Sequence, residues 1–128
     1  MVKCFTKNIE VRVSPSYHFQ ASNPELAHFV HIYEVTIINH SDKVVQLISR
    51  EWYIRDLIGS TEIIKGNGVI GQQPIIEPTQ SHTYASGCNF KSDYGFMEGY
   101  YNFKRLQDQT YFKVKIPRFQ LVFPPKLS

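Results

Sequence analysis

Apolar residues recur at every second position through most of this chain, and turn residues, not helical stretches, interrupt the alternation. Ile9-Glu10-Val11-Arg12-Val13 alternates, and the extended run continues past Pro15 to Tyr17 and Phe19. Ser22-Asn23-Pro24-Glu25 is a turn. Residues 29–39 alternate again, with Tyr33, Val35 and Ile37 on one face and Glu34 and Thr36 on the other. A loop over Asn39 to Lys43 leads to a third strand, Val44 to about Arg55. Within it Val45 and Leu47 share one parity and Trp52 and Ile54 the other, which predicts a bulge near Ile48 to Arg50 that re-aims Arg50 and Trp52.

Thr61 to Ile64 is a short strand, Gln80 to Phe90 a longer one, and Gly95 to Tyr101 opens the next. Phe112, Val114 and Ile116 then alternate with Lys113 and Lys115; beyond Pro117 the apolar parity moves to Phe119, Leu121 and Phe123. Proline cannot donate to a ladder, so Pro117 belongs at an edge or a bulge, and Pro124-Pro125 ends the element. No stretch carries a helical period. The pattern predicts an all-β sandwich of the immunoglobulin or fibronectin type III kind, with about seven to eight strands, in one domain over 1–128 and a core over about 9–124. Trp52 is placed as the core tryptophan of such a sandwich, worth about 3–5 kcal/mol against alanine.

Composition changes this picture little. A chain of 128 residues that is 42% hydrophobic can bury one core without metal or disulfide staples. No run approaches a membrane span, and Met1 to Lys7 lacks the apolar middle of a signal peptide, so the expectation is a cytoplasmic protein without a membrane partner. Cys4 and Cys88 are then expected as free thiols, outside any C-x-x-C pair. The net charge of +3 is mild, but Lys104, Arg105, Lys113, Lys115, Arg118 and Lys126 crowd the final segment against Asp108 alone. Exposed strand faces carry lysine routinely, and that reading is preferred over an acidic partner.

The one motif with a chemical history is Gly66-Asn67-Gly68-Val69-Ile70-Gly71, a G-x-G-x-x-G run preceded by Lys65. In a dinucleotide fold those glycines deliver a pyrophosphate to a helix N-terminus. Here Gln72-Gln73-Pro74-Ile75-Ile76-Glu77-Pro78 follows, and a helix of barely one turn between two prolines cannot serve. Asp93 falls near the position of a ribose-binding acid, but Tyr94-Gly95 makes its surroundings a turn. Two readings stay open. Gly66 and Gly68 hold positive-φ or bulge positions with Gly71 allowing close packing, or successive N–H groups form a nest that holds a phosphate.

Other constellations are weaker. His28 and His31 point to opposite faces of a strand and make no chelate, and His18, His40, Asp42 and His82 add none at useful spacing. Ser86 and Cys88 lack a base, and Glu51, Glu77 and Glu98 form no acid–base pair. Tyr100, Tyr101, Phe103, Tyr111 and Phe112 lie among basic residues without an RNA- or DNA-binding signature, so nucleic acid is not expected. No cofactor, metal or catalytic residue is assigned.

Five blocks together resemble the ApaG family: Leu47-Ile48-Ser49-Arg50-Glu51-Trp52, Gly66 to Pro74, Tyr84-Ala85-Ser86-Gly87, Gly95 to Tyr101, and Ile116 to Leu121. The resemblance runs from about Val11 to Pro124. It implies a small bacterial cytosolic protein with a fibronectin-type-III-like sandwich and no established activity. Family members often neighbour a diadenosine tetraphosphate hydrolase gene, a link to cobalt and magnesium handling is proposed for them, and related domains in larger proteins are expected to bind proteins. This chain departs from the family at Thr79, where glycine is usual and a changed turn is predicted, and at Gln120, where some members carry arginine. The expectation is therefore a non-enzymatic domain with a protein partner at a patch of Gly66, Asn67, Gly68, Gly71, Arg50, Trp52 and Tyr84. The alternative is a nucleotide, dinucleoside polyphosphate or phosphate held at residues 65–72, and a third is a role with divalent cations. An exposed apolar patch beside the loop favours the partner. Unpaired N–H groups with Arg50, Lys65 or Lys91 favour the anion.

Overall fold

The computed structural model describes residues 1–59 and 61–124; Pro125 and Lys126, counted above in the last turn and the basic cluster, lie outside the described residues. Nine strands follow in chain order: β1 (Val2–Thr6), β2 (Ile9–Tyr17), β3 (Phe29–Asn39), β4 (Val45–Asp56), β5 (Thr61–Asn67), β6 (Ile75–Ile76), β7 (Ser81–Phe90), β8 (Tyr94–Arg105) and β9 (Thr110–Val122). Helix among the described residues is limited to short 3-10 turns, of which Pro24–Leu26 is one. None of it is long and apolar enough to cross a membrane.

Two antiparallel sheets face each other, one ordered β1-β2-β3-β7 and the other β5-β4-β8-β9, with β6 pairing with the start of β4. Alternation dictates what lies between them. Ile9, Val11, Val13, Tyr33, Val35 and Ile37 from the first sheet meet Leu47, Trp52, Met97, Tyr101, Phe103, Val114, Ile116 and Phe119 from the second, all buried. Trp52, 3% exposed, sits edge-on to Tyr33 at 5.5 Å and Phe119 at 5.9 Å between ring centroids. The all-β sandwich without a disulfide is confirmed, and the free Cys4 and Cys88 lie on β1 and β7, opposite edges of one sheet. Three strand spacings of about 4.8 Å put them well beyond the reach of a bridge.

Both parity switches have a structural cause. The β4–β8 register slips between Leu47 and Ser49, where the bulge was predicted. The β8–β9 register slips between Met97 and Gly99, opposite the Ile116 to Phe119 segment that holds buried Pro117. Other expectations need correcting. Cys4 does not precede the first strand; it lies in β1, joined to β2 by Lys7 and Asn8 at φ 48 and 65, the twist a two-residue hairpin needs. β2 stops at Tyr17, and Phe19 stands exposed with its ring edge against Tyr17. β5 runs three residues further than predicted, through Asn67.

Candidate functional site

The glycine run begins on a strand and ends in a hairpin. Gly66 pairs with Arg50 in the β5–β4 ladder. Gly68, at φ 61, turns the chain, and its N–H donates to Ile48 O at the β4 bulge, 2.8 Å. Val69 tucks into the core, and its N–H and that of Gln72 exchange bonds at 2.8 and 3.0 Å across Ile70 and Gly71. Those two carry φ of 47 and 72, the left-handed pair of a two-residue turn. Gln73 Nε2 ties the return segment to Ile48 O at 2.9 Å.

These positions revise two expectations about the glycines. Gly66 has no positive φ; it is extended strand, needed because the Arg50 guanidinium lies across it, 3.0 Å from where a Cβ would stand. Gly71 allows no close packing, since the space around it is open; its left-handed φ is what asks for glycine. Gly68 fits on both counts, for a Cβ there would come within 2.1 Å of Gln72 O.

Arg50 faces the carbonyls of the loop. Its Nη1 donates to Asn67 O at 3.0 Å and to Gly68 O at 2.8 Å. A nest needs successive N–H groups converging outwards, whereas those of Gly68, Val69 and Gln72 close bonds inside the loop. Beside it a shallow cleft of about 460 Å³ is lined by Arg50, Glu51, Lys65, Asn102 and Lys113. Glu51 occupies its centre, with Lys113 Nζ at 3.1 Å and Lys65 Nζ at 3.6 Å. The bond from Lys113 above all, then Asn102 and the Lys65 charge, holds the Glu51 carboxyl below the usual range despite desolvation. The two lysines therefore share one carboxylate, that of Glu51.

The remaining sequence-predicted residues separate. Trp52 is core and presents nothing to a partner. Tyr84 is half-buried on the inner side of β7, and its hydroxyl pairs with that of buried Tyr101. Lys91 lies in the β7–β8 turn, where its N–H donates to Asp56 Oδ2, about 20 Å along β4 from the loop. Burial, helped by Glu62 and Asp56, pushes the Cys88 thiol up to about 12, so it is no nucleophile near neutral pH. The histidines disperse: His18 Nδ1 accepts from Ala21 N–H, His40 pairs with Glu10, and His31 is buried. Among the described residues no three His, Cys, Asp or Glu side chains gather in a metal-binding group.

What the sequence reading missed is the outer edge of the second sheet. Among the described residues β5 pairs with β4 on one side only. Ile63 is 59% and Ile64 40% exposed on it. Leu57 and Ile58 stand exposed in the turn before it, and Ile70, 61% exposed, at the tip of the loop after it. The available signal was Ile63-Ile64 itself, two adjacent large aliphatics where a half-buried strand would alternate.

Residues 19–105 match the model of the ApaG domain family. Over 124 residues the chain is 41% identical to Protein ApaG of Mesorhizobium japonicum and to that of Brucella canis, covering 97% of this chain and 95% of each. A Bordetella pertussis protein solved by crystallography under the name ApaA superposes with a TM-score of 0.87 at 34% identity, over 91% of this chain and 94% of that one. An Archaeoglobus fulgidus protein shares the fold alone, with a TM-score of 0.52 at 6% identity over 87% of this chain.

Proposed function

The chain belongs to the ApaG family, and we propose that it is a non-catalytic cytoplasmic domain that binds another protein through the β5 edge and the adjoining glycine hairpin. The observation that carries this reading is the unpaired edge of β5 with Ile63 and Ile64 solvent-facing, continued by Leu57 and Ile58 at one end and Ile70 at the other. An exposed strand edge is a ready template for pairing with a second chain, and sandwiches ordinarily blunt it. Here the blunting is slight: Glu62 and Lys65 flank the two isoleucines. Clustered aliphatics at a rim supply apolar burial that backbone pairing lacks. The hairpin supports the same reading by its rigidity, since Arg50 and Gln73 fix it to β4 and so hold Ile70 outward without a large ordering entropy on binding. The absence of catalysis is supported by the raised thiol of Cys88 and by Glu51 being tied to two lysines.

A photoreactive phenylalanine at position 63 tests this in native cytosol. Discrete adducts are expected there, lost in the Ile64→Lys variant and absent when the probe replaces Lys3 on the opposite, β1 edge. Equal labelling from positions 63 and 3, or labelling that survives Ile64→Lys, contradicts the reading.

A further inference from the structure

Where β2 and β9 both finish, at one end of the sandwich, a cleft of about 320 Å³ opens to solvent. Tyr17 and His31 line it as the last rung of the β2–β3 ladder, their rings edge to face at 5.2 Å. Two buried polar atoms there have no hydrogen-bond partner among the described residues: the Tyr17 hydroxyl and His31 Nε2. His31 is only 1% exposed. Buried donors and acceptors are almost always paired, and one left unmade is destabilising, so two in a single cleft ask for an explanation.

The rest of the lining narrows what fits. Among the described residues none of it is charged, and Pro15, Leu121 and Pro124 contribute to the wall. Burial also lowers His31 to about 4, so the ring is neutral and offers one N–H and one lone pair. The ligand group is therefore uncharged, apolar in body, and able to accept hydrogen bonds. The flanking backbone points further. β1 pairs with β2 only as far as Val13, so among the described residues Ser14 to Tyr17 have no ladder partner on that side, and Gln120 to Val122 of β9 form the facing wall of the cleft. Pro15 in that stretch has no N–H to give a ladder, which makes it a poor edge for ordinary strand addition. A polyproline segment needs no ladder. Its carbonyls lack competing amide N–H groups and take donors from side chains, while its rings pack on aromatic faces.

We propose that this cleft binds a proline-containing segment of a partner protein, with a prolyl ring against Tyr17 and Leu121 and, as the Tyr17 and His31 rings turn towards the cleft, a carbonyl oxygen accepting from the Tyr17 hydroxyl and His31 Nε2–H. The proposal rests on the protein-binding reading but uses a surface separate from β5. Tyr17 and His31 are then kept unsatisfied in the free protein because the ligand completes them.

Isotope-labelled full chain titrated with acetyl-tetraproline amide tests it. Saturable shifts at Tyr17, His31 and Leu121 are expected, with Tyr17→Phe weakening binding up to about tenfold. In the free state the same variant melts at an equal or higher temperature, because the hydroxyl it removes has no partner. Ile64→Lys leaves the titration unchanged, so this site and the β5 edge fail or stand independently. Three results overturn the proposal. One is no saturable shift up to about 10 mM peptide. Another is a Tyr17→Phe variant that binds as wild type, or that melts lower, which means ordered water satisfies the pair. The third is N-methylpyrrolidinone binding as tightly as the peptide, which makes this a small-amide site.

Discussion

Replacing Thr79 by glycine stabilises the protein. Glu77-Pro78-Thr79-Gln80 is a turn closed by Gln80 N–H on Glu77 O at 3.0 Å, with Pro78 second and Thr79 third at φ 71. That geometry is a type II turn, whose third position calls for glycine. The changed turn expected from a threonine there is not what forms: the glycine-type turn is kept and the β-branched residue is forced into it. Left-handed backbone disfavours an L-residue by about 1–2 kcal/mol, while glycine's greater freedom in the unfolded chain returns about 0.5–1 kcal/mol. The Thr79 side chain is exposed, and its N–H bond to Asn39 O at 2.8 Å survives the change. The net gain is about 0.5–1 kcal/mol, raising the melting temperature by about 2–5 °C in a domain of this size. Thermal unfolding of wild type, Thr79→Gly and Thr79→Ala measures it, with Thr79→Ala near wild type because its Cβ keeps the strain. A Thr79→Gly protein that melts at or below wild type refutes the reasoning.

Further outcomes follow from the same contacts. Gly68→Ala drives a Cβ onto Gln72 O and loses at least about 2 kcal/mol in urea unfolding, whereas Gly66→Ala displaces only the flexible Arg50 side chain and costs less. His31, held neutral by burial near a pKa of about 4, gives stability that is complete above the ordinary 6.5 and lost as pH falls between the two. Unfolding free energy should drop by about 3 kcal/mol across that window, a slope that His31→Phe removes. Glu10, bonded to Arg12 and His40, has its carboxyl lowered, so its contribution disappears only as pH falls below 4.5, and Glu10→Gln flattens that lower limb. Cys88 in the folded protein at pH 8 should react with iodoacetamide at least about 100-fold more slowly than in the unfolded chain.

Periodicity made the sandwich legible because burial enforces it. β3 emerged with its observed bounds, since Tyr33, Val35 and Ile37 all face the core. The bulge before Trp52 and the one at Pro117 were readable as parity switches, because a side chain cannot change face without an extra residue. β1 was missed because it lies on an edge, with Phe5 turned to solvent and little alternation to see. β6, two residues long, is defined only by its partner β4. The site was less legible for a related reason. Gly66 looked like loop because glycine usually marks one, and only the crossing of Arg50 explains it within a strand. The rung of Tyr17 and His31 depends on register between segments, which no single-strand pattern records.

The most direct measurement for the central claim is amide hydrogen exchange of β5 in the free protein and with the partner recovered by cross-linking at position 63. β5 pairs on one side only, so the outward N–H groups among Glu62 to Lys65 should exchange rapidly in the free protein. With the partner bound they should slow by orders of magnitude, together with Ile70, while the β1 edge is unchanged. Protection that develops on β1 or the β8–β9 face instead, or a β5 that stays fast in the complex, would contradict the account.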